Sequence, residues 1–335
     1  MNEKKTYTAV NDFAPKDGEL TVFFKAVGEQ KSDGFAVIDQ GKVFVIDVGR
    51  HDRVINFLAS LRESWLGDRH PEDGTPAKLE VTLIISHAHG DHMGSLSLFL
   101  NDERFCVTEI YAPCRSRLGD DVPGALPPLV REENRLEDWC GQLAAQGHTA
   151  KGITRVPFGK SITLPMPSED AGLTIYPSMF DWAEERPSEK EGLRYILNNN
   201  PESYKDNEVL GYTNGILNGN SLWVKIVKGE RAVLITGDQR STDEMLNAMI
   251  RYYGEKEFAC DVLKITHHGE GNYPPYLLSV AKPTITVFTT SYEKAMRETV
   301  ELCEKLGLTN YYTCDGELFL HTDGKQLRAS GIKPR

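Results

Sequence analysis

The 335-residue sequence contains no run of about 18 consecutive apolar residues, the length a helix needs to cross a bilayer, so no membrane span is expected. Its opening stretch, MNEKKTYTAVNDFAPKDGE, lacks the continuous apolar segment of a secretory signal. Six cysteines stand at 106, 114, 140, 260, 303 and 314 with no Cys-x-x-Cys pair among them. That spacing disfavours a cysteine-ligated zinc site and fits reduced thiols in a cytoplasmic protein. Positive charge is also scarce: 38 Lys and Arg against 49 Asp and Glu leave a net charge of −11. Such a balance argues against a broad phosphate-tracking surface, which makes a long nucleic acid the less favoured partner. It leaves room for a small phosphodiester or nucleotide held in a local pocket. Nothing in the sequence sets the oligomeric state.

What is present is an ordinary globular composition, 40% hydrophobic and 26% charged, with alternating strand and helix patterns. Residues 1–19 read as an N-terminal extension, and residues 20–335 as a single domain. Leu20–Lys25, Gly34–Ile38 and Val43–Asp47 are β-branched and aromatic runs, Arg53–Leu66 has helical spacing, and Glu80–Ser86 is a continuous apolar strand. Ser95–Leu100 starts another helix. From about 112 to 217 the chain is proline-rich and reads as a loop and helix insertion, with one amphipathic helix near Glu132–Gln146. Regular pattern returns with strands at Ser221–Val227, Ala232–Thr236, Asp261–Thr266 and Thr284–Thr289. Helices are expected at Thr242–Tyr253, Tyr276–Val280 and Glu293–Leu306, and a hairpin pair near Thr309–Thr313 and Glu317–Thr322. The two halves echo each other: a strand ends at Asp47 and the next at His87, then a strand ends at Asp238 and the next at His267. Two such β-rich halves suggest sheets packed face to face with helices outside, an α/β fold of the four-layer αββα sandwich type.

The strongest chemical signal is Ser86-His87-Ala88-His89-Gly90-Asp91-His92-Met93-Gly94, three imidazoles and a carboxylate directly after a buried strand. In a tight turn, positions 87 and 89 can face one way and 91 and 92 the other, which suits two divalent ions a few ångströms apart. A second strand, Val233–Ile235, runs on through Thr236-Gly237 to Asp238, and a third, from Asp261, ends in His267-His268-Gly269. Trp139, Trp182 and Trp223 read as core residues. Tyr204 and Tyr212 are the fairer pocket candidates, while Lys264, beside His267, could hold a phosphate but is expected to face outward, and Asp120-Asp121 and the run Asp181–Arg194 to be solvated.

With these motifs in this order the sequence resembles the metallo-β-lactamase-fold hydrolase superfamily, and within it the ComEC-type (competence protein) hydrolase domain. The matching stretches are 20–49, LIISHAHGDHMGSL at 83–96, NGNSLWVKI at 218–226, RAVLITGD at 231–238, DVLKITHHG at 261–269 and YYTCDGELFLHTDG at 311–324. The resemblance implies that His87 and His89 bind one metal, that Asp91, His92 and His267 bind the other, and that Asp238 bridges. Asp47 would orient the metal histidines, and His268 is the alternative to His267, since adjacent strand-end residues point oppositely. Asp91, His89 and Asp238 would carry the catalysis. Nitrogen-rich ligands make zinc the first expectation for the two ions and manganese the second.

Many superfamily members place a further His between the first motif and the bridging Asp. The sole His in that interval is His148, in a helical segment, and Asn218-Gly219-Asn220-Ser221 stands where the ligand would fall. Asn218, Asn220 and Ser221 are therefore taken as substrate contacts, with the first metal site open, weakly occupied, or completed by Asn or water. Gly269-Glu270-Gly271 and Ser291-Tyr292-Glu293 also depart from the ComEC-type pattern. The activity implied is phosphodiester hydrolysis, a phosphodiesterase or nuclease using a metal-bound hydroxide. The alternatives are hydrolysis of another ester, thioester or lactam, and a catalytically degenerate binding or regulatory module.

Overall fold

The computed structural model describes residues 18–28, 30–67, 74, 76–116, 128–182, 199, 214–240 and 244–335, with backbone alone for 128–130. One mixed sheet contains β1 (Leu20–Phe24), β2 (Phe35–Asp39), β3 (Lys42–Ile46), β4 (Leu79–Ile84), β5 (Phe105–Pro113) and β6 (Ile153–Val156). The other contains β7 (Ile162–Pro165), β8 (Ala171–Tyr176), β9 (Trp223–Lys228), β10 (Arg231–Ile235), β11 (Val262–Lys264), β12 (Ile285–Phe288) and β13 (Thr309–Tyr312). The chain then returns to the first sheet as β14 (Leu318–Thr322) and β15 (Leu327–Gly331). Strand order is β15-β14-β1-β2-β3-β4-β5-β6 in the first sheet and β13-β12-β11-β10-β9-β8-β7 in the second.

Alternation along the strands explains the layering. Phe44 and Ile46 of β3 join Val233 and Ile235 of β10 and Val262 of β11 in the apolar layer between the sheets. Their neighbours Val43 and Val45 face outward, onto α1 (Arg53–Leu66), α3 (Leu96–Leu100) and α4 (Pro128–Cys140). Leu234 and Leu263 face the opposite outer layer, formed by α5 (Met245–Tyr253), α6 (Pro275–Ala281) and α7 (Arg297–Lys305). This is the four-layer αββα sandwich expected of the sequence. Within each half an antiparallel pair leads into parallel pairs: β2 with β3 and then β3 with β4, β9 with β10 and then β10 with β11. The C-terminal ends of β3, β4, β10 and β11 open onto one edge of the sandwich, as active sites of parallel sheets do.

Two expectations need correcting. Thr309–Tyr312 and Leu318–Thr322 are both strands, but they are no hairpin: β13 edges the second sheet while β14 pairs with β1 of the first. The turn between them, Thr313–Asp315, carries the chain from one sheet to the other, a tertiary choice that local turn residues do not encode. The segment 112–217 is also more than loops and a helix, because β6, β7 and β8 lie in it and are integral to the two sheets. Trp182 and Trp223 are buried, as expected of core residues. Tyr204, Tyr212, Asp120, Asp121 and most of Asp181–Arg194 lie outside the described residues, although Asp181 itself is buried and accepts hydrogen bonds from Ser116 Oγ and Asn220 Nδ2. No helix among the described residues is long and apolar enough to cross a membrane.

Phe44 has no exposed surface, whereas Leu98 on α3 is 62% exposed. Phe44→Ala should lower unfolding free energy by about 3–5 kcal/mol through the cavity it leaves, and Leu98→Ala by no more than about 0.5 kcal/mol. Urea unfolding of the two variants measures both, and a comparable loss for each would contradict the layer assignment.

Candidate metal centre

The strand ends bring the polar residues together. Asp47 follows β3 in the left-handed region, with φ 56°, and its amide bonds the Ile84 carbonyl at 2.9 Å. Its carboxylate takes the Ser86 amide on Oδ1 at 2.7 Å and the Ser86 hydroxyl on Oδ2 at 2.6 Å. The His92 Nδ1–H donates to the same Oδ2 at 2.8 Å. The short helix α2 (Gly90–Met93) is held by its own carbonyls. That of His92 accepts from the Val48 and Gly49 amides, and that of Asp91 from the Asp33 amide and the Ser32 hydroxyl. Gly49 is required there: its φ is +63°, and a Cβ would lie 2.4 Å from the Asp33 carbonyl oxygen. No such demand falls on Gly90, where a Cβ would meet open space, while one at Gly94 would strike the Gly90 carbonyl at 2.3 Å.

Asp33 repeats on the other side what Asp47 does for His92. Its Oδ1 accepts the Nδ1–H of His268 at 2.9 Å. Each imidazole is thereby left with Nε2 directed inward, and His92 Nε2 and His268 Nε2 both lie 3.2 Å from Asp238 Oδ2. Asp91 Oδ2 stands 3.4 Å from His268 Nε2, and His87 Nε2 4.0 Å from Asp238 Oδ2. Asp33, His92, Asp238 and His268 form a fully buried group whose ligand atoms all lie within 4.8 Å of one another. Asp33 belongs to its periphery, since both of its oxygens are engaged, one by His268 and the other by Lys264.

The hydrogen bonds also set the tautomers of the first two histidines. Ser86 Oγ gives its one proton to Asp47, so it accepts from His87 Nδ1 at 3.1 Å. His89 Nε2 donates to Asn214 Oδ1 at 3.1 Å. His87 Nε2 and His89 Nδ1 then lie 2.9 Å apart, within reach of one shared ion. Burial, with the neighbouring histidines adding to it, holds His87 well below the ordinary imidazole range and keeps it neutral; burial lowers His89 as well. Burial opposes charge at His268, yet Asp238 and Asp33 outweigh it and push the ring up to about 10. For Asp91, burial would raise the carboxyl, but His268 and His92 prevail and keep it ionised. His92 is raised in the same way as His268, Asp238 and Asp47 outweighing burial, so without an ion the carboxylates hold a proton on each of these two rings, which a divalent ion would displace. With that proton gone, four imidazoles and ionised carboxylates are the donor set that divalent zinc or manganese takes. The side chains present thus fit such an ion, with His87, His89, Asp91, His92, Asp238 and His268 as the residues that would hold it.

The structure brings His268 into this cluster and keeps His267 out of it. His267 Nδ1–H donates to the Glu270 carbonyl at 2.6 Å and its Nε2 faces Arg240 at 3.4 Å. The family resemblance implied His267, with His268 as the alternative because strand-end neighbours point oppositely, but β11 ends at Lys264 and residues 266–269 form a tight turn. His267 and His268 both have positive φ, 50° and 60°, so the reversal of the chain decides which ring points inward. The proposed substrate contacts divide. Ser221 Oγ accepts from the Asp238 amide at 3.2 Å and so positions the carboxylate, while Asn220 is committed to Asp181 and the Trp182 amide. Asn218 is buried, and its Oδ1 has no hydrogen-bond partner among the described residues. His148 is structural, bonded to the Val107 amide and the Leu100 carbonyl. Sequence reasoning missed Asp33 and Asn214, and it turned Lys264 outward where the structure buries it.

No protein-family model and no curated protein matches the sequence. Among solved structures, the chain is similar to CmlA β-hydroxylase, at 14% identity and a TM-score of 0.46 over 92% of this chain and 55% of that one. It therefore spans 55% of the length of that protein. It is also similar to the metallo-β-lactamase fold protein YhfI from Bacillus subtilis, at 9% identity and a TM-score of 0.43 over 93% of this chain and 100% of that one. A diphosphatase from the PhnP family aligns at 13% identity and a TM-score of 0.44 over 90% of this chain and 98% of that one.

The two adjacent histidines separate cleanly by experiment. His268→Ala should weaken zinc binding by about 100-fold or more, since even residues behind the ligands are worth 10–100-fold in comparable sites. His267→Ala should change it less than about threefold, a smaller effect than loss of an outlying hydrogen bond to a ligand. Competition against a chromophoric chelator reads both, and the reverse order would reinstate His267.

Proposed function

We propose that the protein is a metal-dependent hydrolase acting on a phosphodiester, with a nucleotide or short nucleic acid as substrate. What carries this is the convergence of the His87, His92 and His268 ring nitrogens, from beyond the ends of β4 and β11, on Asp238 Oδ2 beyond the end of β10, with the ionised Asp91 beside His268. A divalent ion held there would supply an activated water and would polarise a phosphoryl oxygen, making the phosphorus more open to attack. The chain's own residues do the rest. Asp47 and Asp33 hold the His92 and His268 rings in one orientation, so little reorganisation is needed when charge develops. His92 and His268 have no exposed side-chain surface, whereas Asp91 has 11%. Together with the half-buried His89, Asp91 marks the side from which substrate and water reach the centre. An ionised carboxylate in that position accepts a hydrogen bond from the attacking water and orients it.

Support for a phosphodiester comes from the resemblance of the sequence motifs to ComEC-type hydrolase domains. A net charge of −11 favours a small substrate over a long polyanion, because an excess of acids repels a long phosphate backbone. Fold alone does not choose the scissile bond.

The metal-loaded protein should turn over bis(4-nitrophenyl) phosphate, lose that activity to a chelator, and regain it with zinc or manganese. Asp91→Ala should lower kcat/KM by about 10²-fold or more, the scale of a single proton-handling group. Turnover of a chromogenic lactam or thioester in place of the phosphodiester would reassign the substrate. Metal binding without turnover of any of them would make the protein a binding module.

A further inference from the structure

Beneath the donor cluster lies a buried cation, where a lysine is expected to face outward. Lys264 is the last residue of β11 and sits in register with Ile235, so it shares the inter-sheet face with Val262. It has no exposed surface. Its Nζ lies 2.5 Å from Asp33 Oδ2, 3.1 Å from the Thr236 carbonyl and 3.6 Å from Asp238 Oδ1. An ammonium so deeply buried loses its hydration, and these three acceptors offset the loss. Its burial below the carboxylates also removes it as a direct contact for a substrate phosphate.

The two carboxylates it touches each have a second oxygen turned toward the centre. Asp33 uses Oδ1 to take the Nδ1–H of His268, and Asp238 turns Oδ2 toward His92 and His268. One lysine thus fixes one oxygen of each, which leaves the other oxygen a single orientation. We propose that Lys264 is a positioning residue for the metal centre, acting through Asp33 on the His268 ring and directly on Asp238. It makes Asp238 present one oxygen, Oδ2, to a bound ion, because Oδ1 faces the ammonium. This inference rests on the metal-centre reading of the cluster and adds to it a fixed cation of the protein as part of the site.

Cobalt(II) titration of the chelator-stripped protein tests it, because the visible spectrum reports ligand geometry independently of turnover. Lys264→Met keeps the aliphatic stem and removes the charge, and Asp33→Asn keeps the shape and breaks the relay. Each should weaken cobalt and zinc binding by about 10–100-fold and alter the cobalt spectrum. Because Lys264→Met removes both routes and Asp33→Asn only the one through His268, the double variant should bind metal about as well as Lys264→Met alone, within about twofold. A folded Lys264→Met protein of lower Tm but with wild-type affinity and spectrum would reduce the lysine to a structural ion pair and overturn the proposal. Should Lys264→Met fail to fold, Asp33→Asn decides alone, an unchanged affinity and spectrum again overturning it. Failure of the wild-type protein to bind cobalt or zinc would overturn the metal-centre reading itself, and this inference with it.

Discussion

Two buried carboxylate–imidazole hydrogen bonds govern the centre: Asp47 on His92 and Asp33 on His268. A neutral imidazole can present either ring nitrogen, and the choice is made by whichever partner claims the other. Here both rings are claimed at Nδ1, so both Nε2 atoms are aimed at the same oxygen of Asp238. The surrounding structure serves this constraint. β3 delivers Asp47, the loop before β2 delivers Asp33, and the amides of Val48 and Gly49 hold the His92 carbonyl in place. The two sheets meet where the site lies, through the Leu222 amide on the Ser86 carbonyl, so the halves of the centre share one rigid floor.

Charge explains why so polar a cluster is tolerated inside an apolar sandwich. Asp33, Asp47, Asp91 and Asp238 are all buried, and ionised carboxylates without partners there would be strongly unfavourable. Lys264 offsets two of them as part of the fold itself, and its pKa is raised because Asp33 and Asp238 overcome the burial that would lower it. Asp47 is the exception: burial raises its carboxyl despite His92 and Ser86. The net charge counted along the sequence therefore mixes two populations, surface acids that repel polyanions and interior acids arranged to receive a cation.

Much of this was legible in the residues. Val43–Asp47 and Glu80–Ser86 carry strand patterns that end where the strands end within a residue or two, and helix Arg53–Leu66 is realised at those bounds. His87, His89, Asp91, His92 and Asp238 could be singled out because three imidazoles in six residues and an apolar strand ending in Thr-Gly-Asp are dense local signals. Asp33 has no such signature: one acid ahead of a strand resembles many others in the chain, and its role arises from contact with His268, 235 residues away. Lys264 was misread because lysine is rarely buried, although its place in Val-Leu-Lys, in register with Ile235, already assigned it to the inner face. The choice between His267 and His268 depended on a chain reversal, and no alternation rule extends through one.

That reversal is itself informative. Left-handed conformations cost non-glycine residues about 1–3 kcal/mol each, and they persist where the surroundings over-determine them. His267 and His268 adopt them in succession, and Asp47 adopts one on the opposite sheet. In the first pair the strain carries the His268 ring across to Asp33. At Asp47 it turns a carboxylate back onto Ser86 and His92. Backbone strain on both sheets is thus directed to the same end, the fixing of two imidazoles before any ligand arrives. A fold optimised for stability alone would have placed glycine at these positions and packed the space with apolar side chains. Keeping strained histidines, four buried acids and a buried lysine together is explained by a centre whose geometry must be preset.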